Sequence, residues 1–132
     1  FGTFRAPMSI SWDFSDRDHL VRIPSERGVR ARMELRSADS ACNPYIAFAL
    51  IIEAGLFGIE NSLSLYDIKE GDSRPSSLDK AIELFKKSDF IKEILPQCAI
   101  DAIVSSADDE IAESFDFRDK FEFYDKYYFG RM

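Results

Sequence analysis

The sequence predicts an α+β fold in which antiparallel strands come first and packed helices follow. Three observations carry this. Residues 30–36 alternate strictly between charged and apolar side chains. Asn43-Pro44 then opens a long apolar stretch in the manner of a helix N-terminus. Beyond residue 78 the apolar residues recur at helical spacing. A run of strands followed by a run of helices is the α+β pattern.

Met8, Ile10 and Trp12 alternate with Ser9 and Ser11, which predicts a first strand with one buried face. The short stretch His19 to Ile23 is β-branched at Val21 and Ile23 and predicts a second. Ser25-Glu26-Arg27-Gly28 supplies turn residues. The third strand is expected from Arg30 to Arg36. Ala31, Met33 and Leu35 point to one face, and Arg30, Arg32, Glu34 and Arg36 to the other. From Tyr45 to about Asn61 the chain is apolar around most of a helical circumference, so a buried helix is expected. Gly55 and Gly58 weaken that helix and would be tolerated where its backbone lies close to a sheet. Residues 62–77 read as a loop rich in Ser, Gly and Pro. Leu78, Ala81, Ile82 and Phe85 mark the next helix, with Ser76 and Asp79 resembling a capping box. Ser88 is placed to cap a short helix ending near Pro96. Residues 97–113 look helical, and Phe117, Phe121, Tyr124 and Tyr128 continue at helical spacing. Strands are thus expected over about 6–37 and helices over about 43–129, within one domain spanning 1–132.

Composition narrows the function classes. The 132 residues are 45% apolar and include twelve Phe and five Tyr, so a packed core rich in aromatics is expected. The net charge of −7 is uneven: residues 1–42 carry seven Arg, no Lys and six acids, and the remainder is strongly acidic. That balance argues against a nucleic-acid partner. The longest apolar run, Tyr45 to Ile52, is too short to span a bilayer, so no membrane partner is expected. Cys42 and Cys98 have neither the density of a disulfide framework nor metal-site spacing. Read as reduced thiols, they favour a cytoplasmic protein. The chain opens on Phe1 without a methionine or a signal-like segment, which suggests a fragment or a processed product.

The charged face of the third strand is the most informative feature. Three arginines surround one carboxylate. Like charges held this close repel unless they face anions or counterions. Glu34 could bind a hard cation such as Mg²⁺ while the arginines hold phosphate or carboxylate groups. Arg17 and Arg22 could extend the cluster. The alternative reading of the same pattern is a solvated ionic ladder across a hairpin.

A succession of short motifs decides between them. Arg17, Val21-Arg22-Ile23-Pro24, Arg32-Met33-Glu34-Leu35-Arg36, Asn43-Pro44-Tyr45 and Ala54-Gly55-Leu56-Phe57-Gly58-Ile59-Glu60-Asn61 occur in order. Together they resemble the C-terminal half of the catalytic domain of the glutamine synthetase family, of bacterial type I-like pattern. The resemblance implies that Glu34 binds an active-site metal, Mg²⁺ or Mn²⁺, near the ATP γ-phosphate. It implies that Arg36 holds the carboxylate of substrate glutamate. Arg17 and Arg22 would contact ATP phosphates and the transferred phosphoryl group, and Arg32 would lie beside the nucleotide. The implied activity is an ATP-dependent ligase that joins glutamate to ammonia through γ-glutamyl phosphate. The implied parent is a homo-oligomer, and the 132-residue chain by itself is expected to be inactive.

Some positions depart from the family pattern. Phe4-Arg5-Ala6-Pro7 has Arg5 where the family has a flap glutamate that helps form the ammonium site. This charge reversal leaves two alternatives open: a γ-glutamyl-amine ligase using a larger amine, or a non-catalytic relative. Asp16-Arg17-Asp18 replaces the usual Asn-Arg-Ser, and the two acids are expected to compete with phosphate for Arg17. His19 does not match the family's metal-binding histidine and reads as a strand or surface residue. Tyr66, in Leu65-Tyr66-Asp67, resembles a loop that some bacterial members adenylylate, but the loop here is much shorter and Tyr66 reads as an ordinary loop tyrosine.

Overall fold

In a computed structural model, residues 7–67 and 73–130 are described. The chain divides into two compact units that meet in sequence at Arg74 and Pro75.

The first unit holds a three-stranded sheet and one long helix. Strand β1 spans Trp12–Phe14, β2 spans Val21–Ile23 and β3 spans Glu34–Leu35. The order is β1-β2-β3. The β2–β3 pair is antiparallel, as expected, but β1 and β2 run parallel, with Trp12 opposite Val21 and Phe14 opposite Ile23. A parallel pair usually needs a long crossover. Here each strand is only three residues long, so the six residues between Phe14 and Val21 can span the return. The expected strand over 30–36 shrinks to two residues. Gly28 adopts φ +66°, residues Gly28–Arg30 form a 3-10 turn, and the chain joins the sheet only at Glu34. The first strand also presents its faces differently from expectation. Ser11 is buried, whereas Met8 and Ile10 are exposed.

Helix α1 spans Pro44–Glu60. Its start follows from the sequence: Asn43 Oδ1 accepts from the backbone N–H groups of Tyr45 and Ile46, at 3.0 and 3.4 Å, and Pro44 supplies the first helical position. Its expected burial is overturned. None of its residues is buried, and Tyr45, Phe48, Ile52 and Ile59 are all more than half exposed. The glycines do not mark a close approach either, since a Cβ at Gly55 or Gly58 would meet nothing within 4 Å. Apolar residues all round a helix call for cover on every side, and the described residues do not supply it.

The second unit is helical. Helices α2 (Leu78–Lys87), α3 (Asp89–Ile94), α4 (Gln97–Ser114) and α5 (Lys120–Tyr124) follow in turn, and a π-turn over Asp125–Phe129 extends α5. Ser88 both ends α2 and caps α3, accepting from Ile91 N–H at 3.3 Å. At the start of α2 the cap is Ser77 rather than Ser76, which accepts instead from Lys80 Nζ at 3.3 Å. Helix α2 packs on α4, with Ile82, Ile100 and Ala107 buried. Phe123, 4% exposed, anchors an aromatic group with Phe117, Tyr124, Tyr127 and Tyr128 at centroid distances from 4.9 to 6.4 Å. Burying such a ring contributes about 1.5–3 kcal/mol. Tyr128 Oη donates to Glu110 and ties the π-turn back to α4.

Candidate functional site

The sheet brings the charged residues together through its register. Arg22 lies directly opposite Glu34 in the antiparallel pair, so their side chains share a face. Arg22 Nη1 donates to Glu34 Oε2 at 2.7 Å, and Arg22 Nε donates to the carbonyl of Ser15 at 3.0 Å. Arg32, two residues before Glu34, donates from Nε to Glu34 Oε1 at 3.0 Å. Its Nη2 also lies 3.6 Å from Glu26, and its Nη1 donates to the carbonyl of Arg30. Glu34 thus sits between two guanidiniums with both oxygens engaged. The hydrogen bond from Arg22, seconded by that from Arg32, holds its carboxyl below the usual carboxylate range despite partial desolvation.

Arg36 follows β3, and its backbone N–H donates to the carbonyl of Leu20 at 2.8 Å. Its guanidinium is half-buried and lies close enough to Asp16 to favour that carboxylate. Arg17 stands on the loop between β1 and β2. That loop is built against Arg22, because Ser15 presents its carbonyl to Arg22 Nε. Arg30 falls in the 3-10 turn instead of on a strand face. Arg5 lies outside the described residues. The structure therefore joins Arg22, Arg32 and Glu34 by direct contact and sets Arg17 and Arg36 on the segments flanking them.

Of the two acids beside Arg17, Asp16 is engaged within its own turn. Asp16 Oδ1 accepts from the Asp18 backbone N–H at 3.0 Å, and this bond is the main cause holding its carboxyl below the usual range. Its other oxygen faces His19 Nε2 at 3.7 Å. His19 is half-buried, and its Nδ1 lies 2.9 Å from the hydroxyl of buried Ser11. Sequence reasoning missed this link. The signal was the i, i+3 spacing of Asp16 and His19 across a turn.

A divalent cation can be tested against the donor set. Among the described residues no group of three or more His, Cys, Asp or Glu is placed to hold a metal. Glu34 offers one hard carboxylate, with its side chain one-third exposed. Mg²⁺ is often held by one or two carboxylates together with substrate phosphates, so Glu34 fits as a single protein ligand. Two bonded arginines still leave lone pairs on its oxygens.

A small sheet that clusters arginines around one carboxylate, followed in sequence by helices, is an α+β arrangement. The chain belongs to the glutamine synthetase catalytic-domain family: the family model described as "Glutamine synthetase, catalytic domain" matches residues 2–126. A glutamine synthetase of Methanosarcina mazei is 42% identical over 107 residues, covering 70% of this chain and 24% of that protein. A glutamine synthetase of Thermotoga maritima is 36% identical over 125 residues, covering 83% of this chain and 28% of that protein. The chain thus spans about a quarter of the length of these curated relatives. Among the described residues, no helix is long and apolar enough to cross a membrane.

Proposed function

We propose that this chain is the C-terminal part of the catalytic domain of a cytoplasmic, homo-oligomeric ligase that joins glutamate to ammonia at the expense of ATP. The observation that carries this reading is Glu34 held between Arg22 and Arg32 on a matched segment of the family. In the reaction the γ-carboxylate of glutamate attacks the γ-phosphorus of ATP, giving γ-glutamyl phosphate and ADP. Ammonia then adds to the acyl carbon, loses a proton, and expels phosphate. Arg17, Arg22 and Arg32 bind the phosphates and offset charge spread over the transferring oxygens. Arg36 clamps the carboxylate of glutamate as a fork of two parallel N–H donors. Glu34 holds Mg²⁺ or Mn²⁺, which when bound supplies Lewis-acid neutralisation of phosphate charge.

Arg5 favours a second reading, in which the amine is larger than ammonia. A guanidinium at the amine site repels ammonium, by on the order of a few kcal/mol at an effective dielectric of about 20. The test is a panel of amines supplied to the full-length protein with glutamate and Mg-ATP, repeated with Arg5→Glu. Ammonium turnover that is poor in the wild type and improved at least about tenfold by Arg5→Glu is expected. Efficient ammonium turnover unimproved by the substitution removes the second reading. Absence of γ-glutamyl phosphate formation with every amine removes the first as well.

A further inference from the structure

Arg17 sits on a loop whose neighbours are fixed one by one. Ser15 takes φ +69°, in the left-handed region, and donates its N–H to the Ile23 carbonyl at 3.1 Å. Its own carbonyl receives Arg22 Nε. Asp16 N–H donates to the Phe14 carbonyl at 2.9 Å, and Asp16 Oδ1 receives Asp18 N–H. None of the ion pairs among the described residues involves Arg17. The Asp16 carboxylate is taken up by the backbone N–H groups of Asp18 and of Arg17 and faces His19.

His19 closes this arrangement from beneath. Nε2 faces Asp16 Oδ2 at 3.7 Å, and a carboxylate can only accept. Nδ1 lies 2.9 Å from the Ser11 hydroxyl, within hydrogen-bond distance. Ser11 is 7% exposed and fixed in turn by β1: its carbonyl receives Val21 N–H at 3.0 Å, and its hydroxyl lies 3.3 Å from that of Ser9. The ring therefore links a buried anchor to the residue immediately before Arg17. A side chain that must meet a phosphate gains from a backbone held in place beforehand, because less is lost on binding.

We propose that His19 is a positioning residue for Arg17, tying Asp16 to buried Ser11 so that the guanidinium is presented beside Arg22 to the phosphates of ATP. This rests on the reading of Arg17 as a phosphate-binding residue. The test is steady-state kinetics on the full-length protein, with melting temperature measured for each variant. His19→Ala is expected to raise KM for ATP about tenfold, with kcat and KM for glutamate within about twofold. His19→Gln, whose amide can reach the same Asp16 oxygen, is expected to recover most of that loss. Asp16→Asn keeps the acceptor for Asp18 N–H but removes the charge facing His19. Alone it is expected to raise KM for ATP about threefold, and in the His19→Ala background to add nothing, because the two act as one link. Should His19→Ala not fold, the His19→Gln and Asp16→Asn pair carries the same test. Arg17→Ala separates this inference from the reading beneath it. If Arg17→Ala raises KM for ATP and His19→Ala does not, the positioning role is wrong and the phosphate reading stands. If Arg17→Ala leaves KM for ATP unchanged, both are wrong. A parallel rise in both KM values with a fall in melting temperature and no recovery in His19→Gln makes His19 structural only, and overturns the proposal.

Discussion

Glu34 and its neighbours show how a one-residue step along the chain separates side chains that join the charged cluster from side chains that do not. Arg22 and Arg32 meet Glu34, while Met33 and Leu35 turn their side chains elsewhere and are themselves exposed. In the full-length protein, Arg36→Ala is expected to weaken glutamate binding by on the order of 2–5 kcal/mol where the site is dry, because a charge-assisted contact is lost. Leu35→Ala should leave KM for glutamate within about twofold. Glutamate titrations of the two variants, side by side, check the alternation. Normal glutamate affinity in Arg36→Ala beside poor affinity in Leu35→Ala would refute it. Much of this cluster was legible, since the charged and apolar residues of 30–36 separate by parity alone. What parity could not show is that Arg30 is lost to a 3-10 turn or that Arg22 fills the space across from Glu34. Those depend on where Gly28 bends the chain and on the pairing register, and both are properties of the folded backbone. The His19 link was invisible for a related reason: Ser11 reads as an outward residue of an alternating strand, yet it is the buried one.

At the scale of elements, local signals held where the deciding atoms are near in sequence. Asn43-Pro44 begins α1, and Ser88 caps α3, because a cap needs only its own side chain and the next turn. The frame at α2 slipped by one residue, and its chemistry slipped with it. The Ser77 side chain hydrogen-bonds Asp79 and is the main cause lowering the Asp79 pKa from its ordinary value, with the N–H groups of the first turn assisting. An acid that binds its proton less readily when folded stabilises the fold at pH above its unfolded value, about 3.9. That contribution is lost as pH falls through the lower folded value. Asp79→Asn should therefore melt lower than wild type at neutral pH, with the gap closing below about pH 3.9. Thermal melts between acid and neutral pH measure this, and a gap that persists or widens in acid counts against the Ser77–Asp79 contact. The burial of α1 was misjudged because periodicity reports which residues are apolar, not what is available to cover them.

For the whole molecule, the two units contrast in what they bury. The helical unit has Ile82, Ile100, Ala107 and Phe123 inside, whereas in the sheet unit, among the described residues, Pro7, Ser11 and Pro24 are buried and no large apolar side chain is. The 132-residue chain alone is therefore expected to bind a hydrophobic dye strongly through α1, to bind Mg-ATP weakly, and to form no γ-glutamyl phosphate. Dye fluorescence and a single-turnover assay check this, and stoichiometric γ-glutamyl phosphate from the chain alone would refute it. The open space around Gly55 and Gly58 makes those two positions a gauge of α1's surroundings. In an uncovered helix, replacing either glycine with alanine adds about 0.8–1 kcal/mol of helix propensity. If another backbone comes to rest against that side in the full-length protein, the added methyl has nowhere to go and the sign reverses. Gly55→Ala and Gly58→Ala should thus raise the melting temperature of the chain alone and lower that of the full-length protein. The position with the larger reversal would locate where the covering surface passes nearest, as a footprint records what stood on it.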